Sequence, residues 1–320
     1  MGWLSWLLGD SEPEDPWALP SEDDAEARAE QRRELIKRVR KLEIVTRRIV
    51  NDQLAGSYQS VFKGRGMDFD EVRLYQPGDE IRLIDWNVSA RMEEVYVKQF
   101  VEERELTVFI MVDASASERF GTGGRSKQEV AAEMAAMLAF SAIKNNDRVG
   151  LIIFTDKIEV FVPPKKGRKH VLRVISQILE FTPEQPGTNL AEGINYFARV
   201  CKRRSVAFLL SDFQDSGYKR ALHIASRRHD LVPIVLLDPA EEEIPVMGTV
   251  SMEDPETGEI IVLDTLSRRG RERYRQMARA LRERREKMFH KLKIDAIHVE
   301  TDKSLLEPLV NYFKLRAKRY

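Results

Sequence analysis

The sequence has 320 residues, 42% of them hydrophobic, which is enough to bury a sizeable core and excludes an intrinsically disordered protein. Fifty-two Lys and Arg residues balance 52 Asp and Glu residues, so no net charge favours nucleic acid or an anionic membrane as a partner. The single cysteine, Cys201, excludes an intrachain disulfide and a Cys-rich zinc site, a usage typical of a cytoplasmic protein. We expect no membrane-spanning segment, because no apolar run reaches the roughly 20 residues that a spanning helix needs.

The first third of the chain predicts a leader and a small module. Residues 1–30 are predicted to be a flexible acidic leader, since Asp, Glu, Pro and Ala dominate them and cannot bury enough apolar surface to impose order. Residues 31–105 are predicted to form a helix plus a β-rich module. Apolar residues recur at helical spacing over 27–51, and strand-like runs follow over 72–75 and 95–101.

The remaining residues, 106–320, alternate apolar runs with helical stretches. Nearly continuous apolar runs predict strands buried on both faces over 106–112, 149–154, 206–210, 231–237 and 294–299. Helical stretches lie between them over 127–144, 168–180, 189–202 and 217–228. The other predicted elements are an antiparallel edge strand over 158–162, a hairpin over 249–263 and helices over 267–293 and 303–318. This alternation predicts a doubly wound, mostly parallel α/β sheet of the Rossmann-like kind.

Polar side chains follow two of the predicted strands. Asp113, Ser115 and Ser117 form an Asp-x-Ser-x-Ser motif after the first apolar run, and Asp212 ends another. Thr188 lies in a loop just before a helix. Because the carboxyl ends of parallel strands meet at one edge of a sheet, we expect the three segments to converge there. Their oxygen atoms suit Mg²⁺, and Mn²⁺ accepts similar ligands, whereas zinc would favour His or Cys.

Two features resemble known families. The Asp-x-Ser-x-Ser, Thr and Asp set is similar to the metal ion-dependent adhesion site of von Willebrand factor A domains. The segment Gly64–Trp86 (GRGMDFDEVRLYQPGDEIRLIDW), followed by Ser-Ala-Arg at 89–91, resembles the bacterial family catalogued as domain of unknown function 58. The similarity covers residues 50 to 240, and it implies a von Willebrand factor A-like fold.

The resemblance also implies how the site works. It implies that Ser115, Ser117 and Thr188 coordinate the cation directly or through water, and that Asp113 and Asp212 hold it mainly through water. A carboxylate from a protein partner would then complete the shell, and the family's frequent companions, the MoxR-type AAA+ ATPases, become the expected partner class. We therefore predict a metal-dependent adaptor or scaffold rather than an enzyme.

A Mg²⁺-dependent phosphohydrolase is the enzyme alternative, because Asp113, Asp212 and Asp215 could hold the cation for phosphate transfer. Against it, the sequence shows no nearby Lys or Arg motif that would clamp a phosphate. The glycine-rich segment Phe120–Lys127 lacks the spacing of a phosphate-binding loop, and we interpret it as a flexible rim. A third interpretation is a sheet domain without a metal, in which these hydroxyls and carboxylates cap helices and form turns.

Two charged segments receive structural interpretations. The basic stretch Arg268–Arg285 alternates with glutamates, which favours an ion-paired, solvated helix over a nucleic-acid-binding surface. In the family-like segment, we favour an ion-paired hairpin around a half-buried tryptophan over a functional surface. The residues concerned are Asp79, Arg82, Asp85, Trp86 and Arg91.

Overall fold

A six-stranded sheet lies at the centre of the protein in a computed structural model. The structure describes residues 22–50, 54, 58, 61, 68–92, 94–101, 105–115, 124–183, 187–253 and 260–318. The strands of the sheet are β3 (Thr107–Asp113), β4 (Arg148–Phe154), β5 (Ile158–Lys165), β6 (Val206–Ser211), β7 (Asp230–Leu237) and β10 (Ile297–Glu300). They are ordered β10-β7-β6-β3-β4-β5, and only β5, which lies at one edge, is antiparallel to its neighbour.

Helices cover both faces of this sheet. They are α3 (Lys127–Lys144), α4 (Arg168–Glu180), α5 (Leu190–Val200), α6 (Lys219–Arg228), α8 (Arg268–Leu292) and α9 (Leu306–Ala317). Along β3, Ile110 packs into the core formed with α3, α4 and α9, whereas Phe109 packs into the core formed with α5, α6 and the end of α8. Both faces of the strand are therefore buried, which explains its continuous apolar run. The predicted doubly wound, mostly parallel α/β fold is confirmed.

The order of the strands creates a switch point. The chain enters the sheet at β3, adds β4 and β5 on one side, and then crosses to β6 on the other side of β3. In open α/β sheets, ligands bind outside the carboxyl ends of the strands where the order reverses in this way. The reversal lies between β3 and β6, which are the two strands whose ends carry the predicted site.

The N-terminal helix α1 (Glu22–Ile49) packs against α3 and α4. It begins five residues before the predicted start at residue 27, since good helix formers with acidic side chains lead into it. Val39 and Tyr58 are part of the core on that face, and the Tyr58 hydroxyl donates to Asp147 Oδ2 at 3.1 Å. The N-terminal 21 residues of the predicted leader lie outside the described residues. The predicted boundary at residue 106 stays a prediction.

A small two-stranded sheet separates α1 from the central sheet along the chain. Its strands, β1 (Asp68–Leu74) and β2 (Tyr96–Val101), are antiparallel and match the predicted strand-like runs. Between them lies a short helix, α2 (Trp86–Met92), which the sequence analysis did not predict. Asp85 starts this helix, because its carboxylate accepts hydrogen bonds from the amides of Asn87 and Val88.

The ion-paired hairpin predicted around a half-buried tryptophan is wrong. Trp86 lies on α2 and is 65% exposed, so it does not form the centre of a packed hairpin. Asp79, one of the charged residues predicted to be ion-paired there, is paired with Arg73 through two hydrogen bonds of 2.7 Å. No residue of the short helix α2 is buried, so the indole of Trp86 does not pack into a core.

The C-terminal part follows the predicted pattern. After β7 comes the short helix α7 (Pro239–Glu242), and then the predicted hairpin of β8 (Thr249–Glu253) and β9 (Ile260–Asp264). The turn of this hairpin lies outside the described residues. In the part of the chain that the structure covers, no helix is both long and apolar enough to cross a membrane.

Candidate functional site

Two aspartates lie at the carboxyl ends of β3 and β6. Asp113 is the last residue of β3, and Asp212 directly follows the last residue of β6, Ser211. The Ser211 hydroxyl donates to Asp113 Oδ2 at 2.7 Å, which ties the two strand ends together. Both carboxylates are buried. The switch point of the sheet therefore holds two acidic side chains in an environment that excludes most of the solvent.

Asp113 has an unusual affinity for its proton. Burial raises the pKa of Asp113 to about 7, and the negative charge of Asp212 adds to this shift. Hydrogen bonds oppose it in part, because the amide of Ser115 donates to Asp113 Oδ1 at 3.1 Å and Ser211 donates to Oδ2. A buried carboxylate pair of this kind is destabilised by its own charge, and a bound cation would compensate that charge.

The three other predicted ligands differ in how much the structure shows. Ser115 is fully buried beside Asp113. Thr188 is half-buried, and its loop is fixed at the same edge because the amide of Asn189 donates to Thr155 O, next to the end of β4, at 2.9 Å. The amide of Leu190 donates to Asp215 Oδ2 at 2.9 Å, which joins the start of α5 to the loop after β6. Ser117 lies outside the described residues.

Asp212 is held by a residue that sequence analysis missed. Its Oδ1 accepts a hydrogen bond from the amide of Gln214 at 3.1 Å, and its Oδ2 accepts one from Lys127 Nζ at 3.0 Å. Its backbone oxygen accepts one from Arg285 Nη1 at 3.0 Å. Asp212 is thus fixed both at its side chain and at its backbone.

The ammonium group of Lys127 is fully buried between two carboxylates. Besides Asp212 it binds Glu241 Oε1, on α7, at 2.5 Å. Gln214 Nε2 donates to the same Glu241 oxygen at 3.1 Å, and the amide of Asp238 donates to Glu241 Oε2 at 3.2 Å. This network connects the start of α3, the loop after β6 and the start of α7.

The start of α3 corrects one part of the sequence interpretation. The segment that ends at Lys127 is not a flexible rim at its C-terminal end, because Ser126 caps α3 and forms a capping box with Glu129. Lys127 lies beside Asp212, but its ammonium binds the carboxylates of Asp212 and Glu241, so the absence of a Lys or Arg motif that would clamp a phosphate stays a prediction. The Ser-Lys-Gln-Glu pattern could have revealed the helix start, but only the fold shows that Lys127 faces Asp212.

The donor atoms present fit a hard divalent cation. They are oxygen atoms of hydroxyl and carboxylate groups, which Mg²⁺ prefers and which it supplements with water. Each carboxylate oxygen of Asp113 and Asp212 already accepts a protein hydrogen bond. Within the described residues, no group of three or more His, Cys, Asp or Glu side chains forms a metal cluster. Ser115 and Thr188 are the two hydroxyl residues of the predicted ligand set that the structure describes, and their role as direct ligands stays a prediction.

Comparison with known families identifies the chain at the level of the family. The family described as "Protein of unknown function DUF58" matches residues 71–284, a region that contains Asp113, Lys127, Asp212 and Glu241. The chain belongs to this family. The resemblance noted from the sequence is thereby confirmed.

Several proteins are similar to this chain. An uncharacterised protein of Mycobacterium tuberculosis, Rv1480, is 34% identical over 224 residues, which cover 69% of this chain and 70% of the relative. The uncharacterised protein YeaD of Bacillus subtilis is 30% identical over 107 residues, which cover 33% of this chain and 25% of the relative. Among solved structures, BatB from Bacteroides thetaiotaomicron is 19% identical with a TM-score of 0.46, covering 67% of this chain and 99% of BatB. The SpRpn10 VWA domain is 14% identical with a TM-score of 0.38, covering 65% of this chain and 95% of that domain.

Proposed function

We propose that this protein is a cation-dependent protein-interaction module, an adaptor or scaffold without enzymatic activity. The observation that carries the proposal is the convergence of Asp113, Ser115, Asp212 and the Thr188 loop at the switch point of the sheet. Burying several polar side chains together lowers the stability of the fold unless they bind a ligand or one another. A divalent cation held at this edge would supply a positively charged centre for an acidic group of a partner.

The hydroxyl and carboxylate side chains of the site would have different roles in holding the cation. The hydroxyls of Ser115 and Thr188, together with Ser117, would hold Mg²⁺ or Mn²⁺. Asp113 and Asp212 would act mainly through water, because protein donors already bind their oxygen atoms. Carboxylates kept at that distance leave more positive charge on the cation, which strengthens its attraction for an incoming Asp or Glu.

The partner in this proposal is a protein with an exposed acidic residue, not a nucleic acid. Family resemblance makes a MoxR-type AAA+ ATPase the first candidate for this partner. The single cysteine favours a cytoplasmic location. A second contact surface is available in the segment that connects β1 and β2, where Ile81 and Trp86 are 69% and 65% exposed. Large apolar side chains exposed together are typical of interaction surfaces.

A phosphohydrolase is the second candidate function, and the position of Lys127 is the observation in its favour. Phosphoryl transfer uses basic groups to neutralise charge on the phosphate. The ammonium of Lys127, however, is fully buried and already binds two carboxylates, so it offers no exposed surface to a substrate. We therefore favour the adaptor. Turnover of a phosphate ester that Asp113→Ala abolishes would favour the enzyme instead.

The proposal is tested by calorimetric titration of Mg²⁺ into the purified full chain, followed by capture of partners in Mg²⁺ or in EDTA. We expect one saturable site, lost in Ser115→Ala and in Asp113→Ala. Ser176→Ala, which makes the same substitution on α4, is the matched control and should bind Mg²⁺ like the wild type. The adaptor proposal fails if the wild type binds no divalent cation, or if capture of the same partner is unchanged in EDTA.

A further inference from the structure

The ion network around Lys127 goes beyond the predicted metal ligands. Lys127 is the first residue of α3, directly after the capping residue Ser126. Its side chain is 0% exposed, and the side chains of Asp212 and Glu241 are 4% and 20% exposed. A buried ammonium group is strongly unfavourable unless it is paired, so the two carboxylates are needed to keep it charged there.

Lys127 also limits what Asp212 can do. Its Nζ donates a hydrogen bond to Asp212 Oδ2 at 3.0 Å, and the amide of Gln214 donates one to Oδ1 at 3.1 Å. The carboxylate is therefore restrained from two sides, and rotating it toward a ligand would break a buried, charge-assisted hydrogen bond. A restraint of this strength fixes the orientation of Asp212 before any ligand arrives.

Glu241 balances the charge that Lys127 brings to the site. Without Glu241, the positive charge of Lys127 would cancel one of the two aspartate charges. With Glu241 present, three ionised carboxylates and one ammonium group leave a net charge of −2, which matches a divalent cation. Glu241 is itself fixed, because the side chain of Gln214 and the amide of Asp238 donate to its two oxygen atoms.

We propose that Lys127 and Glu241 are a positioning pair: Lys127 holds Asp212 back from direct contact with the cation, and Glu241 restores the negative charge that favours a divalent cation. This inference rests on the proposed function, since it concerns the affinity of the same site. Neither residue is a ligand in it. Both act on the cation through Asp212 and through their charge.

The pair predicts shifts of opposite sign in cation affinity. Glu241→Gln keeps the shape of the side chain but lets the charge of Lys127 cancel one of the two aspartate charges, so the Kd for Mg²⁺ should rise about tenfold. Lys127→Met removes the positive charge and releases Asp212, so the Kd should fall about tenfold. The double variant removes both charges and should bind Mg²⁺ within about threefold of the wild type.

The experiment is calorimetric titration of Mg²⁺ into the full chain and its variants at pH 8. An alkaline pH is chosen because burial raises the pKa of Glu241 above its ordinary value, which opposes ionisation of that carboxyl. The matched controls are Lys287→Met and Glu283→Gln, which remove an exposed ion pair on α8 and should leave the Kd unchanged. Circular dichroism and thermal melting in EDTA report whether each variant is folded.

Each outcome separates this inference from the proposed function. Opposite shifts in the two single variants support the positioning pair. Shifts in the same direction, or unchanged affinities in a wild type that binds Mg²⁺, overturn the pair and leave the adaptor proposal standing. Absence of cation binding in the wild type overturns both. Should Lys127→Met not fold, Glu241→Gln decides alone, because it keeps the size and shape of the side chain and one acceptor oxygen, and an unchanged Kd would refute the inference.

Discussion

The sheet edge and the small two-stranded sheet depart from ordinary burial in opposite ways. At the edge, Asp113, Lys127 and Asp212 are charged groups withdrawn from solvent, each with named partners. In the segment that connects the two strands of the small sheet, Ile81 and Trp86 are large apolar side chains exposed to solvent. Buried charges and exposed apolar groups are the two observations that carry information about function, since the reverse arrangement is the default.

The two regions would therefore bind in different ways, the edge through fixed charged groups and the segment near the small sheet through exposed apolar side chains. The edge is rigid, because two backbone amides, the Ser211 hydroxyl and the Lys127 ammonium each bind one of the four carboxylate oxygens of Asp113 and Asp212. Among the side chains of the small sheet and α2 that the structure describes, Val97 is buried, whereas α2 buries none of its residues. An isolated two-stranded sheet is marginally stable in water, and exposed apolar side chains beside it favour a partner that covers them.

The largest expected effect is a change of the free energy of unfolding with pH that is caused by the buried carboxyl of Asp113. A carboxyl whose pKa is higher in the folded chain than in the unfolded chain favours the fold while it is protonated, and this contribution is lost as the pH rises. For Asp113 the window extends from its ordinary value of 3.8 to about 7. Relative to Asp113→Asn, the free energy of unfolding of the wild type should fall by about 4 kcal/mol across this window.

The measurement is urea unfolding of both proteins in EDTA at several pH values. Other carboxyls with raised pKa values, such as Asp147, titrate in both proteins and cancel in the difference. Parallel pH profiles for the two proteins would show that Asp113 carries no such penalty. Added Mg²⁺ should shrink the difference at high pH, because the cation binds the ionised form.

The next prediction compares the loss of stability caused by an Ile→Ala substitution in the central sheet and in the segment near the small sheet. Ile110 is fully buried in β3, so Ile110→Ala removes a branched side chain between packed neighbours and should cost about 3 kcal/mol of stability. Ile81 is mostly exposed, so Ile81→Ala should change stability by less than about 0.5 kcal/mol. Thermal and urea unfolding measure both, and equal losses would mean that the small sheet is covered by other parts of the chain.

The smallest effect on stability is expected for Trp86→Ala. The indole is 65% exposed, so its removal should change the free energy of unfolding by less than about 0.5 kcal/mol. The Kd for Mg²⁺ should also stay the same, while capture of the partner weakens. A variant that captures the partner as well as the wild type would exclude Trp86 from the contact surface, and Asn87→Ala on the same helix serves as the control.

Most of the central sheet could be predicted because its signals are local. The apolar runs that end at Asp113, Phe154 and Leu210 are long, and each matches a strand buried on both faces. The convergence of Asp113 and Asp212 also followed from sequence, since strand ends of a parallel sheet share an edge. The cation, the ligand roles of the hydroxyls and the absence of enzymatic activity stay predictions.

The small sheet shows where local signals were insufficient. Turn residues and short apolar runs predicted its two strands, but α2 was missed because seven residues give too little periodicity to recognise a helix. The exposure of Trp86 was missed for a related reason. A tryptophan in a short amphipathic segment is usually half-buried, and only the position of α2 decides otherwise.

The sequence by itself determined the order of strands and helices, the class of fold and the edge at which the acidic and hydroxyl side chains gather, because periodicity and strand ends are properties of neighbouring residues. Only the tertiary structure decided that Lys127 lies between Asp212 and Glu241, which are 85 and 114 residues away along the chain. No local pattern specifies such a contact. It exists because the crossing of the chain from β5 to β6 places the starts of α3 and α7 beside the same strand end, where a buried ammonium group finds the charges that it needs.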